Sequence, residues 1–170
     1  MNELSHFSDA GRARMVDVSG KPGTQRVAVA SGVLRMLPET LARIRSGGIA
    51  KGDVLTVADV GAVMAAKHTA DIIPMCHTLA LAGVEVVFSD IPETDAGGCV
   101  GLKVVTTTRC AGQTGVEMEA LCAASVALLT VYDMCKAIDR GMRIEHIQLE
   151  EKRGGKSGVW QRQELIHTKL

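Results

Sequence analysis

The sequence predicts an α+β fold, a β-α-β-β-α-β unit with one extra short helix. Three observations predict it. Val84, Val86 and Phe88 alternate with other residues, and so does Val100–Arg109, with a turn between them carrying Pro92, Asp95 and Gly97-Gly98. A long helical segment, about Val116 to Ile138, follows that pair of strands. One strand-like and one helix-like stretch come before the pair, and a last strand comes after the long helix.

The elements follow in order. Met1 to Gln25 is polar, with Gly11, Gly20, Pro22 and Gly23, and is expected to be a mobile arm. Arg26–Leu37 is rich in Val and Ala and reads as the first strand. Pro38-Glu39-Thr40 opens a short helix, because proline suits an early helical position, and Gly47-Gly48 stops it. Thr56 to about Ala70 reads as a second helix from the recurrence of Val57, Val60, Met64 and Ala65, with Pro74 barring continuation. Ile144, Ile147 and Leu149 belong to the last strand, and the chain from Arg153 is Gly-rich and then polar. This order is the split βαβ, ferredoxin-like pattern. Residues 26–158 form the expected domain, between an arm at 1–25 and a tail at 159–170.

The 170 residues fit a single domain. Nineteen Lys and Arg cancel nineteen Asp and Glu, so no net field draws the chain to nucleic acid or an anionic membrane. Aromatics make up 2%, which argues against a base-stacking surface. The most apolar run, Ala120–Tyr132, is too short to span a bilayer, and the N-terminus lacks the apolar core of a secretory signal. A soluble, cytoplasmic chain is expected. Five cysteines, an odd number without a C-x-x-C pair, read as reduced structural thiols, and no metal site is expected.

Four constellations carry possible chemistry. Lys67-His68 and His77 flank a helix end, where cations suit the dipole or build an anion pocket with His77 as donor. Glu117 and Glu119 open the long helix. They either complement its dipole or offer a carboxylate to a heterocycle edge with adjacent N–H donors, as in guanine or a pterin. Asp133 and Lys136 share a face at its far end, as a surface ion pair or as an acid/base couple. Lys152-Arg153-Gly154-Gly155-Lys156-Ser157-Gly158 lacks the first glycine and the following helix of a P-loop, yet a basic glycine-rich loop can still wrap phosphate with its N–H groups. Arg26 and Lys51 are isolated basic positions. Glu119 and Asp133 stand fourteen residues apart, about 21 Å along a helix at ~1.5 Å per residue. One small-substrate pocket cannot touch both ends of a straight helix. Either the helix breaks or one pocket takes its two ends from two chains, and the second is favoured.

These residues sit in recognisable stretches: MVDVSGK (Met15–Lys21), KGDVLTVA (Lys51–Ala58), AAKHTADIIPMCHTLAL (Ala65–Leu81), TGVEMEALCAASVALLTVYDMCKAIDRGM (Thr114–Met142) and GGKSG (Gly154–Gly158). Through them the chain resembles the molybdenum-cofactor biosynthesis protein C family, the cyclic pyranopterin monophosphate synthases. The resemblance implies a ferredoxin-like subunit in a hexamer built as a trimer of dimers, with active sites at the dimer interface. It implies conversion of 3′,8-cyclo-7,8-dihydro-GTP to cyclic pyranopterin monophosphate with release of pyrophosphate, on the way to molybdopterin. It assigns catalysis to Asp133, with Lys136 and Lys51 as proton-transfer partners. It assigns substrate binding to Met75, Cys76, His77, Met118 and Glu119, with Glu117, Lys67, Arg26 and Lys152 as further pocket residues. No cofactor is expected beyond magnesium carried on the substrate triphosphate. The chain departs from the usual pattern at His68 (commonly Arg), Met75 (Leu), Thr78 (Pro) and Gln113 (Lys). A ferredoxin-like fold also serves ligand-sensing modules and purely structural subunits. The acid/base couple beside a set of cations favours an enzyme over both.

Overall fold

A computed structural model describes residues 15–163. The first fourteen residues of the expected arm and the tail from 164 lie outside the described residues. In chain order the elements are β1 (Thr24–Met36), α1 (Pro38–Arg45), α2 (Val54–Lys67), the single turn α3 (Thr69–Ile72), β2 (Leu81–Ile91), β3 (Val100–Gly112), α4 (Glu117–Cys135), β4 (Arg143–Arg153) and β5 (Trp160–Gln161). The sheet order is β2-β3-β1-β4-β5, every pairing antiparallel. Within it, β1, α2, β2, β3, α4 and β4 make the ferredoxin-like unit, with β1 and β3 central.

β1 is pleated in two senses. Ala28, Ala30, Leu34 and Met36 are buried beneath the helices, while Arg35 on the alternate face bonds Glu145 of the neighbouring β4 (3.0 Å). Gly32 sits between them on the helix side, where a Cβ would meet Leu128 Cδ1 at 2.8 Å and the His146 carbonyl at 3.1 Å. Its missing side chain lets α4 lie close on the sheet. The inner face of α4 is Ala120, Ala123, Ala124, Ala127, Leu128 and Val131, all fully buried. Its mean hydropathy of 1.4 over a membrane-length window is thus that of a core helix packed on a sheet.

α2 forms where its periodicity places it, but its apolar stripe faces the other way. Val57, Val60 and Met64 are 45%, 60% and 46% exposed, and the buried face is Val54, Ala58, Ala62, Ala65 and Ala66. Small residues win the inner position because α2 packs against α4 at close range, on the side that carries Val126 and Thr130. Gly61 marks that approach, since a Cβ there would lie 3.1 Å from Thr130 Oγ1. The helix also starts two residues before Thr56, because Asp53 caps it by accepting from the Leu55 and Thr56 N–H groups, each at 3.1 Å. At the other edge, β5 extends the sheet where only a polar tail is expected. Arg162 anchors it by donating to the Leu149 carbonyl (2.8 Å), with its guanidinium 5.9 Å from the Trp160 ring.

Candidate functional site: two ends of one helix

α4 runs as one 19-residue helix from Glu117 to Cys135. The broken-helix alternative is therefore excluded, and its two ends carry separate groups of chemically capable residues.

At the N-terminal end lies a cavity of about 420 Å³. The loop after α3 supplies Met75, Cys76 and His77, and the start of α4 supplies Glu117, Met118 and Glu119. His77 Nε2 lies 2.8 Å from the Val16 carbonyl. Residues 16–21 cross the cavity as a strap, and Gln113 Nε2 holds the strap by donating to the Ser19 carbonyl (3.3 Å). Glu119 is only 4% exposed. Burial pushes its carboxyl above the ordinary value of 4.5, and the charge of Glu117 pushes it further. Burial also raises the Cys76 and Cys122 thiols, so both stay protonated and act as soft packing groups.

A second cavity of about 800 Å³ adjoins the first, sharing Lys21, Thr114, Gly115 and Glu117. It adds Arg26, Lys152, Lys156 and Ser157, so the joint trough is basic along one wall. Arg26 is fixed by donating from Nε and Nη2 to the Gly112 and Gln113 carbonyls, each at 3.3 Å. The loop after β4 closes over it. Gly154 and Gly155 adopt φ values of 96° and 71°, and a Cβ on Gly155 would overlap the Arg26 guanidinium. Lys152, near the end of β4, donates from Nζ to Ser157 Oγ in that loop. The buried Thr24 Oγ1 also lines this cavity and has no hydrogen-bond partner among the described residues.

At the C-terminal end of α4, Asp133 stands between two ammonium groups. Lys136 Nζ donates to Oδ1 at 2.6 Å and Lys51 Nζ to Oδ2 at 3.2 Å. Lys51 also donates to the Asp133 carbonyl (2.9 Å), satisfying a helix-terminal acceptor. These contacts, Lys136 first, hold the Asp133 carboxyl below its ordinary value of 3.8. All three side chains are exposed.

Within one chain the structure thus gathers Met75, Cys76, His77, Met118, Glu119 and Glu117 around the first cavity, and Arg26 and Lys152 around the second. Lys51, Asp133 and Lys136 form their own group at the opposite end. Lys67 lies exposed in the last turn of α2 and lines neither cavity. Its neighbour His68 pairs with Asp71 at 2.7 Å on the surface. Reading the residues individually missed Val16, Val18 and Lys21, because a polar segment without periodicity reads as a free arm. Their one signal was membership in the Met15–Lys21 stretch.

Fold and cavities define a ferredoxin-like domain with a trough of two adjoining cavities, basic along one wall, and a detached carboxylate–lysine cluster. The chain belongs to the MoaC family, whose model matches residues 15–155. It is 56% identical over 161 residues to a cyclic pyranopterin monophosphate synthase of Chloroflexus aurantiacus (strain ATCC 29366 / DSM 635 / J-10-fl), covering 95% of this chain and 96% of that one. The synthase of the same name from Chloroflexus aggregans is 55% identical over 164 residues, 96% of each chain. That of Novosphingobium aromaticivorans is 55% identical over 160 residues, 94% of this chain and 98% of the other.

Proposed function

We propose that this chain is a cyclic pyranopterin monophosphate synthase, a phosphorus–oxygen lyase of molybdenum cofactor biosynthesis. Its substrate is 3′,8-cyclo-7,8-dihydro-GTP, and it releases pyrophosphate. The observation that carries this reading is Asp133 held between Lys51 and Lys136. Opening and reclosing a purine-derived ring needs repeated proton transfers, and this cluster sets an acceptor beside two donors. A nucleotide sensor has no use for it. The basic wall of the trough suits a triphosphate, since Arg26, Lys152 and Lys156 offer charge-assisted hydrogen bonds. Attack of a ribose hydroxyl on the α-phosphate then forms the cyclic phosphate and expels pyrophosphate, with these cations offsetting the charge that develops on the leaving group.

The site is shared between two copies of the chain in this reading. One copy supplies the trough and its partner supplies the Asp133 cluster, in a hexamer of three dimers acting in the cytoplasm. Lys67, outside both cavities of a single chain, belongs to the shared pocket. No resident cofactor is needed, and magnesium enters on the triphosphate. The deciding experiment incubates the protein with cyclic dihydro-GTP and measures pyrophosphate and the cyclic pterin product. Pyrophosphate release in step with product is expected, and binding without release would leave a sensor instead.

A further inference from the structure

Residues 17–21 are tied into a turn of their own. Asp17 Oδ1 accepts from the Ser19 N–H (2.9 Å) and from the Ser19 hydroxyl (2.6 Å), and the Lys21 N–H donates to the Val18 carbonyl (2.9 Å). Two side chains from distant parts of the chain pin this turn. His77, from the loop after α3, meets the Val16 carbonyl at its start (2.8 Å). Gln113, from the loop after β3, donates from Nε2 to the Ser19 carbonyl (3.3 Å). Val16, Val18 and Lys21 line the first cavity, so the pinned turn is one of its walls. The facing wall includes Glu119, which is rooted in the fully packed body of α4. The strap is therefore the wall most easily parted, since a few hydrogen bonds hold it rather than a core.

Gln113 has a second attachment. Its main-chain carbonyl accepts from Arg26 Nη2 (3.3 Å), and the residue lines the second cavity together with Arg26 and Lys152. One residue thus carries the strap on its side chain and a trough cation on its backbone. The Ser19 carbonyl needs only a donor, which the carboxamide supplies without a charge. We propose that Gln113 is a positioning residue whose amide holds the 16–21 strap shut over a nucleotide in the first cavity and slows its escape. This rests on the reading of the trough as a nucleotide site. The bond acts on the strap and touches no reacting atom, so its loss falls on binding and release and spares the chemical step.

The test compares Gln113→Met with Gln113→Lys in the full-length assembly. Methionine fills a similar space without a donor, and lysine keeps a donor on a stem of similar reach. In the ligand-free protein the Ser19 and Lys21 amides should exchange hydrogen about fivefold faster in Gln113→Met, with the amides of α4 unchanged. Bound GTP should leave that variant about fivefold faster. KM for pyrophosphate release should rise by a like factor, with kcat within about twofold of native. Gln113→Lys should bring all three back to within about twofold of native, because the donor returns. Unchanged exchange at Ser19 and Lys21, a kcat that falls while KM holds, or a lysine variant that behaves like the methionine one would overturn the proposal. If the native protein makes no product at all, the functional reading fails, and amide exchange with GTP release still decides what the strap does.

Discussion

The two ends of α4 treat a carboxylate in opposite ways. At the start, Glu119 is folded into a cavity beside thiols and raised by burial. At the finish, Asp133 lies in solvent, lowered by two lysines that grip it. The same helix raises the proton affinity of one carboxyl and lowers that of the other. The rigid helix also keeps them too far apart to serve one small molecule within a single copy. If one site uses both ends, as proposed above, it draws them from two copies, and the comparison becomes a claim about pairing.

The largest expected effect tests that pairing. Asp133→Ala and Glu119→Ala should each cut turnover strongly, by at least about tenfold, since the first removes the carboxylate of the proposed proton-transfer cluster and the second a group of the proposed substrate pocket. When the two inactive proteins are dissociated, mixed and reassembled, activity should return. A mixed dimer holds one site with both native residues and one with neither, so random equal mixing should restore about a quarter of the native sites. No recovery in verified mixed assemblies would break the two-chain account and leave each end to act alone.

A second effect concerns the rod between the ends. Leu128 is fully buried, midway along α4, against the sheet at Gly32. Leu128→Ala should cost about 2–5 kcal/mol of stability through lost burial and a cavity. Chemical denaturation measures it, and a loss under 1 kcal/mol would show (on the scale of ~2–5 expected for a packed core) that the helix is less firmly seated than its burial indicates. The third effect is more local. Gly155→Ala places a side chain at a φ of 71° against the Arg26 guanidinium. It should cost about 1–3 kcal/mol and weaken triphosphate binding by displacing Arg26, while leaving the Lys51–Asp133–Lys136 contacts unchanged. Titration with GTP tests the binding, and unaltered affinity would remove Arg26 from the trough's function.

The fold was legible because its signals are local: alternation in β2 and β3, Pro38 at a helix start, glycines after α1, and an unbroken apolar helix. What eluded the sequence depends on partners. Val57, Val60 and Met64 look like the inner face of α2, yet the alanines on the other side lie closer to α4, and hydrophobicity alone does not rank closeness. Trp160 and Gln161 join the sheet only because β4 runs long enough to offer Glu151 and Lys152 as an edge. The strap at 16–21 gains order from His77 and Gln113, some sixty and ninety positions away, which no periodicity records. Asp133 and Lys136 are neighbours on a helix and were readable as a pair. Lys51 joins them through the loop before α2, and only the resemblance pointed to it.

The smallest expected effect is on the shape of stability against pH, and it separates the two ends by sign. A carboxyl lowered by folding, as at Asp133, adds stability that is present above its ordinary value of 3.8 and is lost as pH falls through the lower folded value. A carboxyl raised by folding does the reverse. For Glu119 the contribution is present below its ordinary value of 4.5 and is lost as pH rises from there toward the folded value. Asp133→Asn should therefore flatten the acid limb of a denaturation-midpoint profile, slightly, because the pair is exposed to solvent. Glu119→Gln should flatten the limb that descends on the neutral side and leave the acid limb as it was. Measuring the urea midpoint of both variants from about pH 3 to about pH 8 gives the two signs directly. If both substitutions moved the same limb in the same direction, the two ends of α4 would not treat a carboxyl in opposite ways, and the comparison would fall.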